Sequence, residues 1–238
     1  MGSRSPILIT GGAQRLGLYC ARRLHHAGYP VIISYRTHRP LIEELEHLGI
    51  RTLHADFSTS QGILDFINRL QMITDSLRGI VHNASTWSKD TLGMAAIDNF
   101  EALFRVHMLA PYLINMHCHD LLLKSPDPHK DIVHMTDYVV QKGSKKHAAY
   151  AATKAGLDNL TRSFAALYAP DIQVNAIAPA LIKFNDDDDE NYKMQALKKS
   201  AMQIEPGEEV IVQSLLFLLE NHYITGATLP MDGGRHLI

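Results

Sequence analysis

Seven short apolar runs recur along the chain: "PILIT" (6–10), "PVIISY" (30–35), "RTLHAD" (51–56), "RGIVHNA" (78–84), "KDIVHMT" (130–136), "IQVNAIAP" (172–179) and "ATLPMD" (227–232). Each has the length of a strand and is bounded by Gly, Pro, Asp or Asn. Between them apolar residues return at spacings of three or four, as at Leu16, Cys20 and Leu24, or at Leu157, Leu160, Phe164 and Leu167, the period of a helix with one buried face. The strand runs are nearly continuous rather than alternating, so both faces of the sheet are covered. Regular strand–helix alternation predicts an α/β fold: a doubly wound, Rossmann-type parallel sheet of seven strands with helices on both faces.

One segment breaks the pattern. In "KFNDDDDENYKMQALKKS" (183–200) five consecutive acids, Asp186 to Glu190, cannot enter a core. The segment reads as a solvated loop or as a mobile lid at the carboxyl edge of the sheet. No other shift in composition marks a boundary, so residues 1–238 are expected to form a single domain.

Composition narrows the possible partners. Formal net charge is -2 and no Lys/Arg-rich stripe occurs, which argues against nucleic acid. No run of 18 apolar residues is present and "MGSRSPILITGG" lacks a signal-peptide core, so neither a membrane nor export is expected and the reading is cytoplasmic. The Met-Gly start with Ser5 only loosely fits a myristoylation signal, because Arg4 and Pro6 crowd it. Cys20 and Cys118 lack metal-ligand spacing and read as reduced, buried thiols; no metal is expected.

Candidate chemistry lies at two places. In "ILITGGAQRLGL" (7–18) an apolar strand passes through a glycine turn into a helix, whose first amides form an anion site. Gly11, Gly12 and Gly17 suit the tight turn, the close approach and the close packing. The next strand ends in "SYRTHR" (34–39), where Arg36 with Thr37, and Arg39 beyond, suit a ribose 2′-phosphate; an acid there would favour a free hydroxyl. This favours NADPH over NADH. Asp56 ends the third run, as an adenine acceptor or as a turn residue.

At the other place, "MTDYVVQKGSKKHAAYAATK" (135–154), Tyr150 and Lys154 lie four residues apart and share a helix face. A lysine and an oxidised nicotinamide beside the phenol favour its phenolate and make proton transfer reversible. Asp137 stands thirteen positions before the tyrosine, where a substrate carbonyl would call for a hydroxyl; Thr136 or Ser144 could serve instead after a shift of register. A carboxylate suits a ring rich in N–H groups. Trp87 is the only tryptophan and follows a strand end, either as a flat face for a conjugated bicycle or as a core or interface residue.

"TGGAQRLG" resembles the TGxxxGxG motif of the short-chain dehydrogenase/reductase family, with Arg15 replacing the middle glycine at no cost if its side chain points outward. "HNAS" (82–85) is similar to that family's NNAG motif and "YAATK" to its YxxxK pair. Arg15, "NAS" followed by Trp87, Asp137 and YxxxK together resemble the pteridine reductases of the family, over essentially the whole chain. The resemblance implies NADPH-dependent reduction of 7,8-dihydropterins, dihydromonapterin foremost and dihydrofolate more weakly, by a homotetramer. Tyr150, Lys154 and Asp137 are the implied catalytic residues. Cofactor contacts are implied at Gly11, Arg15, Leu16, Tyr35, Arg36, Thr37, Asp56, Phe57, Asn83, Ala84, Ser85, Lys154, Pro179, Leu181 and Ile182. Arg15, Ser85, Trp87, Asp137, Tyr150 and Leu181 would meet the pterin.

The chain departs from the family at His107, where an Asn of a water relay is usual, and at Ala180, where glycine is common. His107 reads as a relay member or as a buried helical histidine. Two other functions fit the same fold. One is a carbonyl or 3-ketoacyl reductase, against which Asp137 argues; the other is a silent NADPH-binding sensor, against which Tyr150 with Lys154 argues.

Overall fold

All seven apolar runs form strands: β1 (Ile7–Ile9), β2 (Val31–Tyr35), β3 (Arg51–His54), β4 (Gly79–His82), β5 (Asp131–Met135), β6 (Gln173–Pro179) and β7 (Thr228–Met231). The computed structural model describes residues 4–238. The strands pair in parallel in the order β3-β2-β1-β4-β5-β6-β7. Chain order reverses beside β1, which pairs with both β2 and β4, so a crevice opens at the carboxyl ends of β1 and β4.

Side-chain alternation sorts each strand between two cores. Leu8, Ile32, Ile80, Ile132 and Val174 face a layer made by α3 (Ser60–Ile73), α5 (Ala110–Leu123) and α6 (Ala148–Tyr168). Ile7, Ile9, Val31, Ile33, Val81, Val133 and Ile177 face the opposite layer of α1 (Arg15–His26), α2 (Leu41–His47) and α8 (Glu209–Glu220). Two further helices are α4 (Met94–Phe104), which packs against α6, and α7 (Glu190–Leu197). Cys20 and Cys118 are unpaired and lie one in each core, and burial pushes both thiols up to about 12. Among the described residues no helix is long and apolar enough to cross a membrane.

Two features depart from simple periodicity. Leu167 is 62% exposed, because α6 turns Leu157, Thr161, Phe164 and Tyr168 inward instead. Between β4 and β5 the chain runs through α4 and α5 in succession, joined by a π-helical turn, Arg105–Leu109, whose wider winding shifts the phase of the second helix. His107 lies in that turn and is completely buried.

A polar chain crosses the core beneath the crevice. His82 meets Asn115 Oδ1 at 2.7 Å, Asn115 Nδ2 faces His134 Nε2 at 3.3 Å, and His134 Nδ1 meets Thr161 Oγ1 at 2.8 Å. Thr161 donates its own proton to the Leu157 carbonyl, so His134 donates to Thr161 and accepts from Asn115. Each member meets at least one neighbour at hydrogen-bonding distance, which lowers the cost of such burial. Burial pushes His82 down to about 4 and His134 well below the ordinary histidine value.

These histidines link stability to acid. The unfolded chain takes up a proton near pH 6.5 that the folded His82 resists down to about 4. Stability is therefore complete above about 6.5 and declines as pH falls, by about 1.4 kcal/mol per pH unit for each such residue. Urea midpoints between about pH 7 and 5 should drop for the natural chain and less steeply for His82→Gln, which keeps a donor toward Asn115. Identical slopes would show that His82 protonates freely in the native state.

Candidate active site

The first part of the site forms where β1 and β4 end side by side. Asn83 donates from Nδ2 to the carbonyls of Thr10 (3.1 Å) and Gly11 (3.0 Å), and Thr10 Oγ1 accepts from the amides of Asn83 and Ala84. Gly11 has φ +66, and a Cβ there would lie 2.9 Å from Ala84 Cα. A Cβ on Gly17 would overlap the Gly11 carbonyl and the Asn83 amide. Helix α1 begins with no side-chain cap and no acid in its first turn, leaving its amides to an anion. Leu16 is half-buried and packs on the core behind them.

Arg15 corrects one expectation. Its φ is +49, so the residue sits in the left-handed region that a glycine would occupy freely, at a cost of about 1 kcal/mol. The side chain does point outward, and donates to Asn185 Oδ1 at 3.1 Å. At the end of β2, Arg36, Thr37 and Arg39 are exposed, and Tyr35 lies edge-on to His38 and His54. No acid occurs from Ser34 to Arg39. Asp56 accepts from the Ser58 amide, and that bond holds its carboxyl below the usual range; Phe57 is core, packed on Phe66.

The uncapped helix start, the glycine cradle and the exposed cations fit the pyrophosphate and 2′-phosphate of NADP(H).

The second part gathers on the first turns of α6. Tyr150 donates to Asp137 Oδ2 at 2.9 Å, while Asp137 Oδ1 accepts from the Val139 amide at the same distance. Asp137 thus both caps the turn after β5 and meets the phenol. Thr136 and Ser144 do not take its place: Thr136 is buried and donates to the Ile177 carbonyl, and Ser144 accepts from the Lys146 amide. Lys154 is 3% exposed and donates to the Met135 carbonyl at 2.8 Å. Burial lowers it to about 8, with Asp137 pulling the other way. Burial, and then the Asp137 charge, push the Tyr150 phenol well above the ordinary tyrosine value. In this geometry the carboxylate outweighs the lysine, and the phenolate is disfavoured. Burial raises Asp137 in turn.

Behind the tyrosine, His107 joins Ser85, at 2.9 Å, to Thr153, also at 2.9 Å, and Thr153 donates to the Tyr150 carbonyl. Trp87 is 60% exposed and lies 4.4 Å from the His147 ring, tilted by 38°. Leu181 lines a cavity with Met202, Ile204 and Arg235, whereas Ile182 is buried in the core beyond Pro179. The 183–200 segment contains α7, capped by Asp189, and the residues from Asn185 to Asp187 are exposed.

Four neighbours of the site were not singled out by sequence reasoning. Asp90 caps α6 from a distance, accepting from the Ala148 and Ala149 amides at 2.6 and 3.1 Å. His147 meets the Ser88 carbonyl at 2.9 Å, which ties the Trp87 loop to α6. Thr153 is described above, and Arg235 packs over the Tyr138 ring at 4.5 Å. One signal was available for the cap: "SKKHAAY" places no Ser, Thr, Asp or Asn directly before the helix, so the helix must find a distant one.

Comparison with known proteins bears on the family and the fold. The family profile described as enoyl-(acyl carrier protein) reductase, of the short-chain alcohol dehydrogenase type, matches residues 11–236. The chain is 47% identical to dihydromonapterin reductase of Shigella boydii over 232 residues, 98% of this chain and 97% of that protein. It superposes on FolM alternative dihydrofolate reductase 1 from Brucella canis, solved with NADP, with a TM-score of 0.89 at 26% identity, covering 99% of this chain and 95% of that one. The Pseudomonas aeruginosa RhlG complex with NADP shares the fold at 22% identity, with a TM-score of 0.87 over 99% of this chain and 100% of that one.

Replacing Gly17 by Ala should cost about 1–3 kcal/mol, as overpacking of a close-packed site does, because the added methyl meets backbone and the Asn83 clamp. Urea denaturation measures this; an unchanged midpoint would show that the loop moves aside freely.

Proposed function

The chain belongs to the short-chain dehydrogenase/reductase family, and from that premise we propose that it is an NADPH-dependent oxidoreductase that reduces 7,8-dihydropterins, with dihydromonapterin as principal substrate and dihydrofolate as a weaker one. The reading is carried by one observation: the Tyr150 hydroxyl donates to a carboxylate, Asp137, and not to a second hydroxyl. Two oxygens that accept hydrogen bonds suit the N–H-bearing edge of a pterin and repel the lone pairs of a ketone.

NADPH, when bound, supplies the hydride that reduces C6. Gly11, Leu16, Asn83, Ala84 and the start of α1 would hold its pyrophosphate and ribose, and Arg36 with Thr37 its 2′-phosphate. Tyr35, Asp56, Phe57, Pro179, Leu181 and Ile182 would border it, and Lys154 the nicotinamide ribose. Arg15 and Ser85 would reach both cofactor and pterin. Trp87 would stack on the pterin, with His147 behind it.

Asp137 and Tyr150 handle the proton that N5 must gain. A proton leaving the phenol while Asp137 is ionised would leave two adjacent negative charges in a half-buried site. The pair is therefore competent when Asp137 is also protonated, a state that burial makes more accessible. The proton passes to N5 and the remaining one is shared between carboxylate and phenolic oxygen, beside the Lys154 ammonium.

The enzyme works as a cytoplasmic homotetramer. Support comes from apolar side chains left at the surface of α4 and α5, among them Met94, Ile97, Phe100, Tyr112 and Met116.

NADPH oxidation with dihydromonapterin, dihydrobiopterin, dihydrofolate and an acetoacetyl thioester side by side tests the substrate class. Pterins should turn over and the thioester should not. Tyr150→Phe should lower kcat on the pterin by about two orders of magnitude or more. In the natural chain kcat should fall with rising pH as Asp137 loses its proton, and Asp137→Asn should remove that limb. Turnover of the thioester alone would select a carbonyl reductase, and NADPH binding without any turnover would select a sensor.

Cofactor choice is tested at Arg36. Arg36→Asp should move the NADPH/NADH preference toward NADH by on the order of 1–3 kcal/mol, the scale of a charge-assisted hydrogen bond. An unaltered ratio of kcat/KM values would place Arg36 outside the phosphate subsite.

A further inference from the structure

His107 occupies the π-helical turn with no exposed surface, and both of its ring nitrogens have protein partners. Their directions can be assigned. The Thr86 amide, which can only donate, faces Nε2 at 3.3 Å, so Nε2 carries a lone pair. On the other side Thr153 has committed its proton to the Tyr150 carbonyl at 2.9 Å, so its oxygen accepts from Nδ1–H. Two independent neighbours thus require the same tautomer, neutral with the proton on Nδ1. Burial agrees, lowering the imidazole to about 3, with the Lys154 charge adding to the effect.

The consequence falls on Ser85, whose hydroxyl lies 2.9 Å from Nε2 and beside the Tyr150 phenol. Its single proton has the Tyr150 phenolic oxygen beside it, the Thr86 carbonyl at 3.5 Å and Nε2 at 2.9 Å; the short Nε2 contact takes it, sharing that lone pair with the longer Thr86 amide contact. Ser85 is exposed, and a hydroxyl whose proton lies on Nε2 has only lone pairs left for the crevice.

We propose that His107 is a specificity-determining residue: by accepting the Ser85 proton at Nε2 it makes that hydroxyl a hydrogen-bond acceptor toward the crevice, which selects a substrate edge presenting N–H and disfavours one presenting C=O. Ser85 and Asp137 then offer acceptors from two directions. The same geometry closes His107 to any relay, since the chain from Nδ1–H through Thr153 ends on a backbone carbonyl. His107 acts through Ser85 and is a positioning residue. The identity of the ring rests on the dihydropterin reading; the polarity of Ser85 does not.

Two measurements on the intact chain decide it. Long-range nitrogen–proton NMR of the histidine-labelled protein, with the His107 signal identified by its loss in His107→Gln, should show the proton on Nδ1 without any substrate. A proton on Nε2 would overturn the proposal, whatever the enzyme reduces.

In kinetics with NADPH and dihydrobiopterin, His107→Gln retains an acceptor toward Ser85 and should keep the pterin KM near that of the natural chain. His107→Asn retains a donor toward Thr153 but withdraws that acceptor. It should raise KM by about tenfold, the scale of one hydrogen bond, as should Ser85→Ala. The double variant His107→Asn with Ser85→Ala should be no worse than either alone, because both act through one hydroxyl. Additive losses, or equal losses in His107→Gln and His107→Asn, would overturn it. Absence of pterin turnover in the natural chain would instead remove the dihydropterin reading and leave the NMR result to decide the polarity of Ser85.

Discussion

Burying the ammonium of Lys154 is the constraint around which the middle of this protein is arranged. A cation 3% exposed on the inner face of α6 needs a partner for its protons and an anion within reach. The Met135 carbonyl at the end of β5 serves the first need, and Asp137, two residues further on, serves the second. The same charge bears on the other polar residues nearby, since it reinforces the neutrality that burial already imposes on His107 and His134. A protonated imidazole at either position would put a second cation near the lysine in a dry interior.

Polar groups are therefore paired in closed circuits on this side of the sheet. One runs from His82 through Asn115 and His134 to Thr161, and the other from Ser85 through His107 and Thr153 to the backbone of Tyr150. Each holds α6 against the strands by directional bonds where an apolar contact would permit sliding. The start of α6 is held likewise, by Asp90 on its first amides and by His147 on the Ser88 carbonyl. The loop bearing Trp87 and the helix bearing Tyr150 thus form one unit, which sets the width of the crevice between them.

The carboxylate at position 137 gives this unit its chemical character. It meets the phenol in a partly buried place, and burial raises both groups instead of letting the lysine draw the phenol down. The result is a pair able to hold and release one proton, bordered by acceptors. Such a border matches a heterocycle with several N–H groups and opposes a bare carbonyl.

The seven strands and the glycine turn at Gly11 were legible in the chain because both are local: a short apolar run bounded by breakers, and a glycine where φ must be positive. The shared helix face of Tyr150 and Lys154 was legible from their four-residue spacing, whereas the bond between Asp137 and the phenol depends on the path of the turn after β5. Local pattern could not reveal that Arg15 adopts a left-handed backbone, that Leu167 faces outward, or that Trp87 lies against His147. Nor could it show Asp90 capping a helix that begins 58 residues later. These depend on partners distant in sequence, and so do the electrostatics of the phenol and the tautomer of His107. Chain periodicity determined where the elements lie, and only tertiary packing decided which polar atoms share a dry space and therefore which way their protons point.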